Sequence, residues 1–261
     1  MSLPQLKITF LGTGTSTGIP MIGCHCAVCT SANPKDKRLR SSILVESPAT
    51  TLVVDTTPDF RYQMLRINNT RLDAVLFTHP HKDHIAGLDD VRAYNFFQRK
   101  PMDVYANALT AEALKHEFAY VFADKKYPGV PEINLYTIDE TFFTVGDIPV
   151  QPFTVWHHKM PVFGFRFGNF TYITDANKIE GPVKEKIKGS QVIVLNALRN
   201  EKHVSHFTLK EAIELVQEMQ IPTAYFTHIS HQLGKHDDVE KTLPQGIHLA
   251  YDGLQLHMDN V

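Results

Sequence analysis

The sequence predicts an α/β (α+β) protein in which two β-sheets pack face to face, with helices on their outer surfaces. Three observations lead to this prediction. Short apolar runs bounded by turn residues, which are typical of strands, occur in both halves of the chain. Each half also carries helical patterns, and the clearest begins at Thr208, where Glu211 completes a capping box. Finally, several strand-like runs end directly in His or Asp, which indicates one site at a shared sheet edge.

The first half of the chain begins with strands and continues with helices. Residues 7–11 read as a strand and lead into a loop of Gly, Thr and Ser at residues 12–18. Further strands are predicted at residues 41–46, 51–55 and 72–77, and helices at residues 85–97 and 111–122. An irregular stretch rich in Tyr, Pro and Gly follows at residues 127–131.

The second half repeats this style, with strands predicted at residues 150–156, 163–167, 170–174, 192–197, 223–227 and 254–258. The helix that Thr208 begins presents one apolar face, made of Leu209, Ala212, Ile213, Val216 and Met219. No repeat, low-complexity tract or long linker interrupts the pattern. A single domain over residues 1–261 is therefore predicted.

The composition is that of a soluble globular protein, with 43% hydrophobic and 21% charged residues. A net charge of -2 argues against a broad nucleic-acid surface. The local basic cluster of Lys35, Lys37, Arg38 and Arg40 is most simply a solvated loop. No apolar run is long enough to span a bilayer, and the first residues do not resemble a signal peptide, so a cytoplasmic protein is expected.

The run Thr78-His79-Pro80-His81-Lys82-Asp83-His84 is the strongest candidate for a functional site. His79 and His81 are two apart on an extended segment, so their side chains point the same way and can share a metal ion. Asp83 and His84 follow at once and can hold a second ion. Because the run comes directly after the predicted strand at residues 72–77, it lies where α/β proteins usually place their sites.

Other predicted strands end in residues of the same types, namely Asp55, His157 with His158, Asp175 and His228. For a single residue such as Asp55, a capping role or a supporting hydrogen bond to a ligand is the simpler interpretation. Taken together with the His-rich run, these strand ends predict one metal site gathered at one edge of two sheets.

Three cysteines, Cys24, Cys26 and Cys29, lie within six residues. An odd number at such short spacing is a poor disulfide framework and a good thiolate metal site.

The His-rich run and the later strand ends resemble the ligand order of the metallo-β-lactamase-fold hydrolases. This resemblance implies a four-layer αββα sandwich with a two-metal site. It assigns His79, His81 and His158 to one metal, Asp83, His84 and His228 to the other, and Asp175 to both. Strand alternation does not choose between His157 and His158. The residues that follow match the family best when His158 is the ligand, so His158 is the predicted one.

A narrower resemblance is carried by Gly12-Thr13-Gly14, by Gly18-Ile19-Pro20, by the cysteine segment at residues 23–29 and by Thr227-His228-Ile229-Ser230-His231. These segments are similar to the PhnP-like cyclic phosphodiesterases of the carbon–phosphorus lyase pathway. The resemblance implies a structural zinc near the N-terminus held by Cys24, Cys26, Cys29 and His231, and a Cys₃His set suits closed structural zinc. It also implies that His206 is a general acid, with His203 as the alternative.

The predicted function is that of a phosphodiesterase with two divalent metals, acting on a small (cyclic) phosphodiester such as phosphoribosyl 1,2-cyclic phosphate or a cyclic nucleotide. Water activated by the metals attacks phosphorus, Asp83 orients it, and His206 donates a proton to the departing alkoxide. The ligand types do not choose among Mn²⁺, Zn²⁺ and Fe²⁺. The PhnP-like resemblance suggests Mn²⁺ in the catalytic site and Zn²⁺ in the structural one.

Alternative interpretations belong to other classes. An RNA-processing endonuclease should carry a basic arm, which this near-neutral sequence lacks. A thioester hydrolase, a lactonase and a non-catalytic carrier of cofactor biosynthesis share the fold, and the complete ligand set favours an enzyme over the carrier. The expected partner is a small phosphodiester, with no extended nucleic acid and no membrane, and a homodimer is common among such hydrolases.

Overall fold

A computed structural model describes residues 4–258 and shows two seven-stranded sheets. In spatial order, the first sheet contains β14 (Gln255–Met258), β1 (Leu6–Gly12), β2 (Ser42–Glu46), β3 (Thr51–Val54), β4 (Ala74–Leu76), β5 (Met102–Ala106) and β6 (Ile133–Thr137). The second contains β13 (Ile247–Leu249), β12 (Thr223–Thr227), β11 (Val192–Asn196), β10 (Phe170–Tyr172), β9 (Met160–Phe167), β8 (Ile148–His157) and β7 (Phe143–Val145).

The α-helices are α1 (Phe60–Arg66), α2 (Lys82–Ile85), α3 (Arg92–Gln98), α4 (Ala108–Glu117), α5 (Ala119–Phe122), α6 (Gly181–Ile187), α7 (Leu209–Glu218) and α8 (His236–Glu240). Short 3₁₀ turns lie at Pro34–Asp36 and Leu88–Val91. At the start of α7 the predicted capping box is confirmed, because Thr208 and Glu211 exchange hydrogen bonds between side chain and backbone. Within residues 4–258, no helix combines the length and the apolar character needed to cross a membrane.

Apolar residues fill three layers between these elements. Between the two sheets, side chains such as Phe10 and Val45 of the first meet Phe165 and Phe167 of the second. Outside the first sheet, one cluster joins its strands to α1, α3 and α4, and outside the second sheet another joins its strands to α6 and α7. The predicted four-layer αββα sandwich is therefore confirmed.

The strands that lead into the site run parallel. In the first sheet β3, β4 and β5 pair in parallel, and in the second β10, β11 and β12 do the same. The carboxyl ends of these strands meet at one edge of the sandwich, which is where parallel sheets place ligands. Asp55, His79, Asp175 and His228 all follow such strand ends.

The predicted helix at residues 85–97 is divided by a close contact. The chain forms α2, a 3₁₀ turn and α3, with Gly87 at the first break. The Gly87 N–H donates to the carbonyl of Thr56 at 2.8 Å. A Cβ at this position would lie 2.2 Å from the carbonyl oxygen of Thr57. Only glycine allows the loops after β3 and β4 to approach this closely.

Candidate metal centre

The structure gathers most of the predicted ligands around Asp175. The Asp175 Oδ2 atom lies 3.2 Å from His84 Nε2 and 3.1 Å from His228 Nδ1, and Asp83 Oδ2 lies 3.2 Å from His84 Nε2. The His79 ring lies 4.1 Å from that of His84 and 4.6 Å from that of His81, measured between centroids. The His-rich run and the later strand ends thus form one cluster.

Three of the residues that shape the cluster have left-handed backbones. The φ angle is 67° at Asp55, 54° at Asp175 and 56° at His228. Each of these residues follows the end of a parallel strand. A positive φ at a residue other than glycine is costly and persists where the surroundings require it. Here it turns the side chain at the strand end towards the cluster.

The choice of His158 over His157 is corrected by the backbone. Strand β8 extends through His157, which pairs with Met160 of β9, so His158 and Lys159 form the tip of the hairpin. His158 has a φ of 56° and is exposed. The His157 ring instead lies 5.1 Å from that of His81 and 5.9 Å from that of His79. His157 therefore takes the place in the cluster that the sequence assigned to His158.

Asp55 supports two of the histidines, as the sequence interpretation of this residue anticipated. Its Oδ2 lies 2.7 Å from His84 Nδ1 and accepts a hydrogen bond of 2.8 Å from the Thr78 hydroxyl. The Thr78 hydroxyl oxygen lies 2.9 Å from His79 Nδ1. With both Nδ1 atoms held in this way, the rings of His79 and His84 are oriented so that their Nε2 atoms are left for the cluster.

We expect Asp55→Ala to weaken metal binding by roughly 10- to 100-fold, because His84 loses its partner at Nδ1 and the Thr78 hydroxyl that contacts His79 loses its acceptor. Metal affinity would be measured by competition with a chelator. Asp73→Asn is the matched control, since Asp73 is a carboxylate directly before β4 whose contacts are with Thr51, Arg71 and Lys100 and not with the histidines. An Asp55→Ala protein with unchanged metal affinity would contradict the supporting role.

Three further supports were not anticipated from the sequence. The ring of His157 uses Nδ1 to contact the Ser205 carbonyl at 2.9 Å, and His228 Nε2 lies 3.1 Å from the Thr15 hydroxyl. The Thr174 hydroxyl donates to Asp175 Oδ2 at 2.7 Å. The motif of Gly, Thr and Ser at residues 12–18 gave the one available signal, since such loops often approach a site closely.

The cluster fits divalent metal ions. Among residues 4–258, the buried nitrogens without a hydrogen-bond partner include His79 Nε2, His84 Nε2, His228 Nδ1 and His206 Nδ1. Leaving so many buried polar atoms unpaired is costly, and bound cations would satisfy those of the ligand histidines. Ligand atoms of Asp83, His84, Asp175 and His228 all lie within 4.8 Å of one another.

Electrostatics in the cluster also favour cations. Burial lowers the pKa of His79 and of His228, so both imidazoles are neutral and able to coordinate. Burial opposes ionisation of Asp83 and Asp175, yet the neighbouring His84 and His228 imidazoles hold the pKa of both carboxyls well below the usual range. Against the effect of burial, the carboxylates of Asp83, Asp175 and Asp55 in turn raise the pKa of His84 well above its usual value, so His84 has to release a proton when a cation binds. With that proton gone, the cluster offers ionised oxygens beside neutral nitrogens, which is the donor set that Zn²⁺, Mn²⁺ and Fe²⁺ accept.

His206 faces the same cluster from the loop before α7. It is buried, and its Nδ1 lies 3.9 Å from Asp175 Oδ1. Its ring centroid lies 4.6 Å from that of His157 and 4.8 Å from that of His228. His203, the alternative, is half-buried, 5.0 Å from the His206 ring, and accepts from the Ser205 N–H. Of the two, His206 is the one directed into the cluster.

A second cluster contains the cysteines and His231. The Sγ atoms of Cys24 and Cys26 lie 3.5 and 3.3 Å from His231 Nδ1, and the ligand atoms of all four residues lie within 4.8 Å of one another. A hydrogen bond from the Cys29 N–H, followed by His231, lowers the pKa of the Cys26 thiol to about 6. This arrangement fits the predicted Cys₃His zinc set, which leaves no open position for catalysis.

In protein whose His/Asp cluster has been loaded with Mn²⁺, we expect Cys26→Ser to reduce bound zinc from one ion per chain to nearly none. It should also lower Tm by several degrees, because structural zinc contributes directly to folding free energy. Metal analysis and thermal denaturation would measure this. His25→Ser is the matched control, because His25 lies between two of the cysteines but is exposed. Full zinc occupancy in Cys26→Ser would contradict the assignment.

The two clusters share a loop. His228 and His231 are three residues apart, and between them the Ile229 N–H donates to the Thr13 carbonyl at 2.9 Å. The Ile229 carbonyl in turn accepts from the Thr15 N–H at 3.0 Å. The loop that carries both His228 and His231 is thus hydrogen-bonded to residues 13–15.

Comparison with known proteins agrees with this geometry. The family profile described as a beta-lactamase superfamily domain matches residues 50–229. An octanoyltransferase from Porphyromonas gingivalis is 36% identical over 257 residues, which is 97% of this chain and 52% of that protein. The exodeoxyribonuclease YycJ of Bacillus anthracis is 29% identical over 53% of this chain and 48% of its own length. The chain therefore spans about half the length of these curated relatives.

Two solved structures superpose on almost the whole of this chain. A diphosphatase from the PhnP family superposes with a TM-score of 0.93 and 38% identity, covering 99% of this chain and 98% of that one. Zinc-bound PqqB from Methylobacterium extorquens superposes with a TM-score of 0.75 and 19% identity, covering 96% of this chain and 99% of that one, which shows the shared fold.

The four-layer sandwich and its His/Asp cluster define a protein of the metallo-β-lactamase fold with a candidate metal centre. The chain belongs to the β-lactamase superfamily and, within it, to the PhnP family. The resemblance drawn from the motifs at residues 12–29, 78–84 and 226–232 is thereby confirmed.

Proposed function

We propose that this protein is a phosphodiesterase with two divalent metals that hydrolyses a small (cyclic) phosphodiester, such as phosphoribosyl 1,2-cyclic phosphate or a cyclic nucleotide. The observation that carries the proposal is the position of Asp175. Asp175 belongs to two groups of neighbouring ligand atoms. In one group its carboxylate lies close to His84 and His228, and in the other it lies close to His157 and His206. A carboxylate in this position can hold two ions close enough to act on one phosphate.

The ligands divide into two sets around Asp175. His79, His81 and His157 would hold one ion, and Asp83, His84 and His228 the other. Ions in such a site supply an activated water and neutralise the charge on the phosphoryl oxygens. Mn²⁺ or Zn²⁺ are the proposed catalytic metals, with Zn²⁺ in the Cys₃His site.

The chain's own groups perform the proton chemistry. Asp83 is half-buried, in contrast to the buried Asp175, and its carboxylate can orient the attacking water. His206 Nδ1 lies 3.9 Å from Asp175 Oδ1, which would bring it within reach of the leaving oxygen of a substrate held beside that carboxylate. We therefore propose His206 as the proton donor to the departing alkoxide.

A second candidate function is hydrolysis of a diphosphate, favoured because the 38% identical structure is that of a PhnP-family diphosphatase. A phosphoanhydride presents the same phosphoryl oxygens to the two metals and differs in its leaving group. The octanoyltransferase name of the P. gingivalis relative adds an acyl thioester to the substrates to be tested. About half of that protein lies outside the matched region, so the test also asks whether the named activity belongs to the matched half.

The test is turnover by protein that has been stripped of metal and reloaded with Mn²⁺ or Zn²⁺. The substrates would be bis-nitrophenyl phosphate, phosphoribosyl 1,2-cyclic phosphate, 2′,3′-cyclic nucleotides, a nucleoside diphosphate, a thioester and a lactone. Metal-dependent cleavage of the diesters above all others supports the phosphodiesterase. Preference for the diphosphate supports the second candidate, and turnover of the thioester or lactone alone contradicts both. No turnover with two metals bound favours a carrier.

A further inference from the structure

A cavity beside the edge strands β13 and β14 shares no residue with either metal centre. It measures about 370 Å³, and its walls come from β12, β13 and α8 together with residues 35, 251 and 254. This volume lies in the lower part of the range of roughly 300–1,000 Å³ that is usual for small-molecule sites. No step of the proposed hydrolysis uses this cavity, so its side chains need a separate explanation.

One residue that lines the cavity is a buried histidine with a free donor. His236 is only 2% exposed, and its Nδ1 lies 3.0 Å from a guanidinium nitrogen of Arg38. Because a guanidinium can only donate, Nδ1 must accept, and the ring proton lies on Nε2. Burial and the charge of Arg38 lower the pKa of His236 to about 4, so the ring is neutral at pH 7. Within residues 4–258 nothing accepts from Nε2, and a buried donor of this kind calls for an acceptor.

The positive charges of the cavity are unpaired, whereas its negative charges already have partners. In the part of the chain that the structure describes, neither Lys35 nor Lys241 has a carboxylate oxygen within 4.0 Å. Both oxygens of Glu240 are occupied, one by His248 at 2.8 Å and the other by a backbone N–H at 2.7 Å. Asp237 accepts from a neighbouring side-chain amide at 2.9 Å. Two ammonium groups and the imidazole N–H are therefore left for an anion.

Aromatic rings form another part of the cavity wall. Tyr225 and His248 occupy paired positions on β12 and β13, and their ring centroids are 5.4 Å apart. Tyr251 lies 5.8 Å from the His236 ring, and Lys35 Nζ lies 4.7 Å from the centre of the Tyr251 ring. Flat aromatic faces of this kind stack well against a planar ring of a ligand. The cavity thus has a cationic part near Tyr251 and an aromatic part at the paired strands.

We propose that this cavity is a second binding site, which takes an anion that also carries a planar aromatic ring, such as a nucleoside monophosphate. Its phosphate would accept from His236 Nε2 and Lys35 Nζ, and its base would lie against the rings of Tyr225 and His248. Inorganic phosphate would use only the first group of contacts, and an uncharged nucleoside only the second. The site is inferred independently of which ester or anhydride the metal centre hydrolyses.

The test is equilibrium binding of adenosine 5′-monophosphate (AMP) to the full chain, measured by calorimetry. Because the metal centre could also bind a phosphate, the wild type is compared with Asp175→Asn. We expect Asp175→Asn to bind one AMP per chain, and to bind it about 10-fold or more tightly than inorganic phosphate or adenosine, since each of these lacks one group of contacts. AMP binding that Asp175→Asn abolishes would belong to the metal centre and would overturn the proposal.

Two substitutions test the two parts of the site separately. Lys35→Glu should weaken both AMP and phosphate by about 10-fold or more, because it places a like charge beside the anion. Tyr225→Leu should weaken AMP but leave phosphate unchanged, because it removes a flat face and keeps an apolar side chain. Lys210→Glu is the matched control, since Lys210 is an exposed lysine of α7 outside the cavity, and it should change neither affinity.

Three results would contradict this site. They are the absence of saturable AMP binding, an equal affinity for AMP and inorganic phosphate, and an AMP affinity that Lys35→Glu leaves unchanged. Thermal denaturation of each variant would show that it is folded. Lys35 lies on the surface segment at Pro34–Asp36 and makes no contact with the metal ligands, so Lys35→Glu keeps the test decisive if Tyr225→Leu does not fold.

Discussion

Replacing Asp175 with Asn should lower turnover by about 10²- to 10³-fold, the scale of losing one preorganised electrostatic group in an active site. Its carboxylate lies 3.2 Å from His84 Nε2 and 3.1 Å from His228 Nδ1, so it contacts ligands that belong together around one centre. Asn keeps the shape of the side chain but loses the negative charge. Both turnover and metal content should fall, and metal analysis would measure the second effect separately.

The fold should survive this substitution. Asp175 is held in a left-handed backbone at the end of β10, and Asn tolerates that conformation better than most residues do. The matched control is Asp139→Asn, an exposed carboxylate on the segment between β6 and β7, which should keep full activity and metal content. An Asp175→Asn protein that still binds two metals and turns over normally would show that the two-metal site is wrong.

Much of the site was predictable because the ligands follow strand ends. The order of ligand types from His79 to His228 is written in the sequence, and parallel strands then bring their carboxyl ends to one edge. The capping box at Thr208 was equally readable, because its contacts are local. Features of this kind depend on neighbours along the chain or on simple rules of sheet geometry.

The choice between His157 and His158 depended on something that the sequence does not display. Strand alternation fixes which residues share a face, but the position of the turn decides where the strand stops. The hairpin turn uses His158 at a φ of 56°, a conformation in which a residue other than glycine is uncommon. The strand therefore keeps His157 as its last residue, and the family comparison placed the ligand one residue too late.

Long-range supports were hidden for a similar reason. Thr15 lies 213 positions before His228 in the chain, yet their side chains are in hydrogen-bond contact. The break in the predicted helix at residues 85–97 arises because Gly87 packs against Thr56 and Thr57 of another loop. Strand β5 (Met102–Ala106) was not predicted, because its alternation of buried and half-buried residues spans only five positions directly before α4. Such contacts become visible only once the sheets are assembled.

His206→Gln should slow hydrolysis of substrates with poor leaving groups by roughly 10²- to 10⁴-fold, the range of a lost general acid. Bis-nitrophenyl phosphate, whose leaving group departs as an anion without a proton, should lose much less. Glutamine preserves an N–H that can hydrogen-bond to the substrate but cannot give up a proton. The ratio between the two substrates therefore separates proton donation from simple binding.

His206 has to gain a proton before it can act as a general acid. Burial lowers the pKa of His206 to about 3, with Asp175 opposing the shift, so at pH 7 the free protein holds a neutral imidazole. A proton can be donated only if the negative charge of the bound substrate raises that pKa. His203→Gln is the matched control, because His203 neighbours His206 but is not part of the group that His206 forms with Asp175 and His157. Equal losses on both substrates in His206→Gln, or a dependence on leaving group in His203→Gln instead, would show that His206 is not the acid.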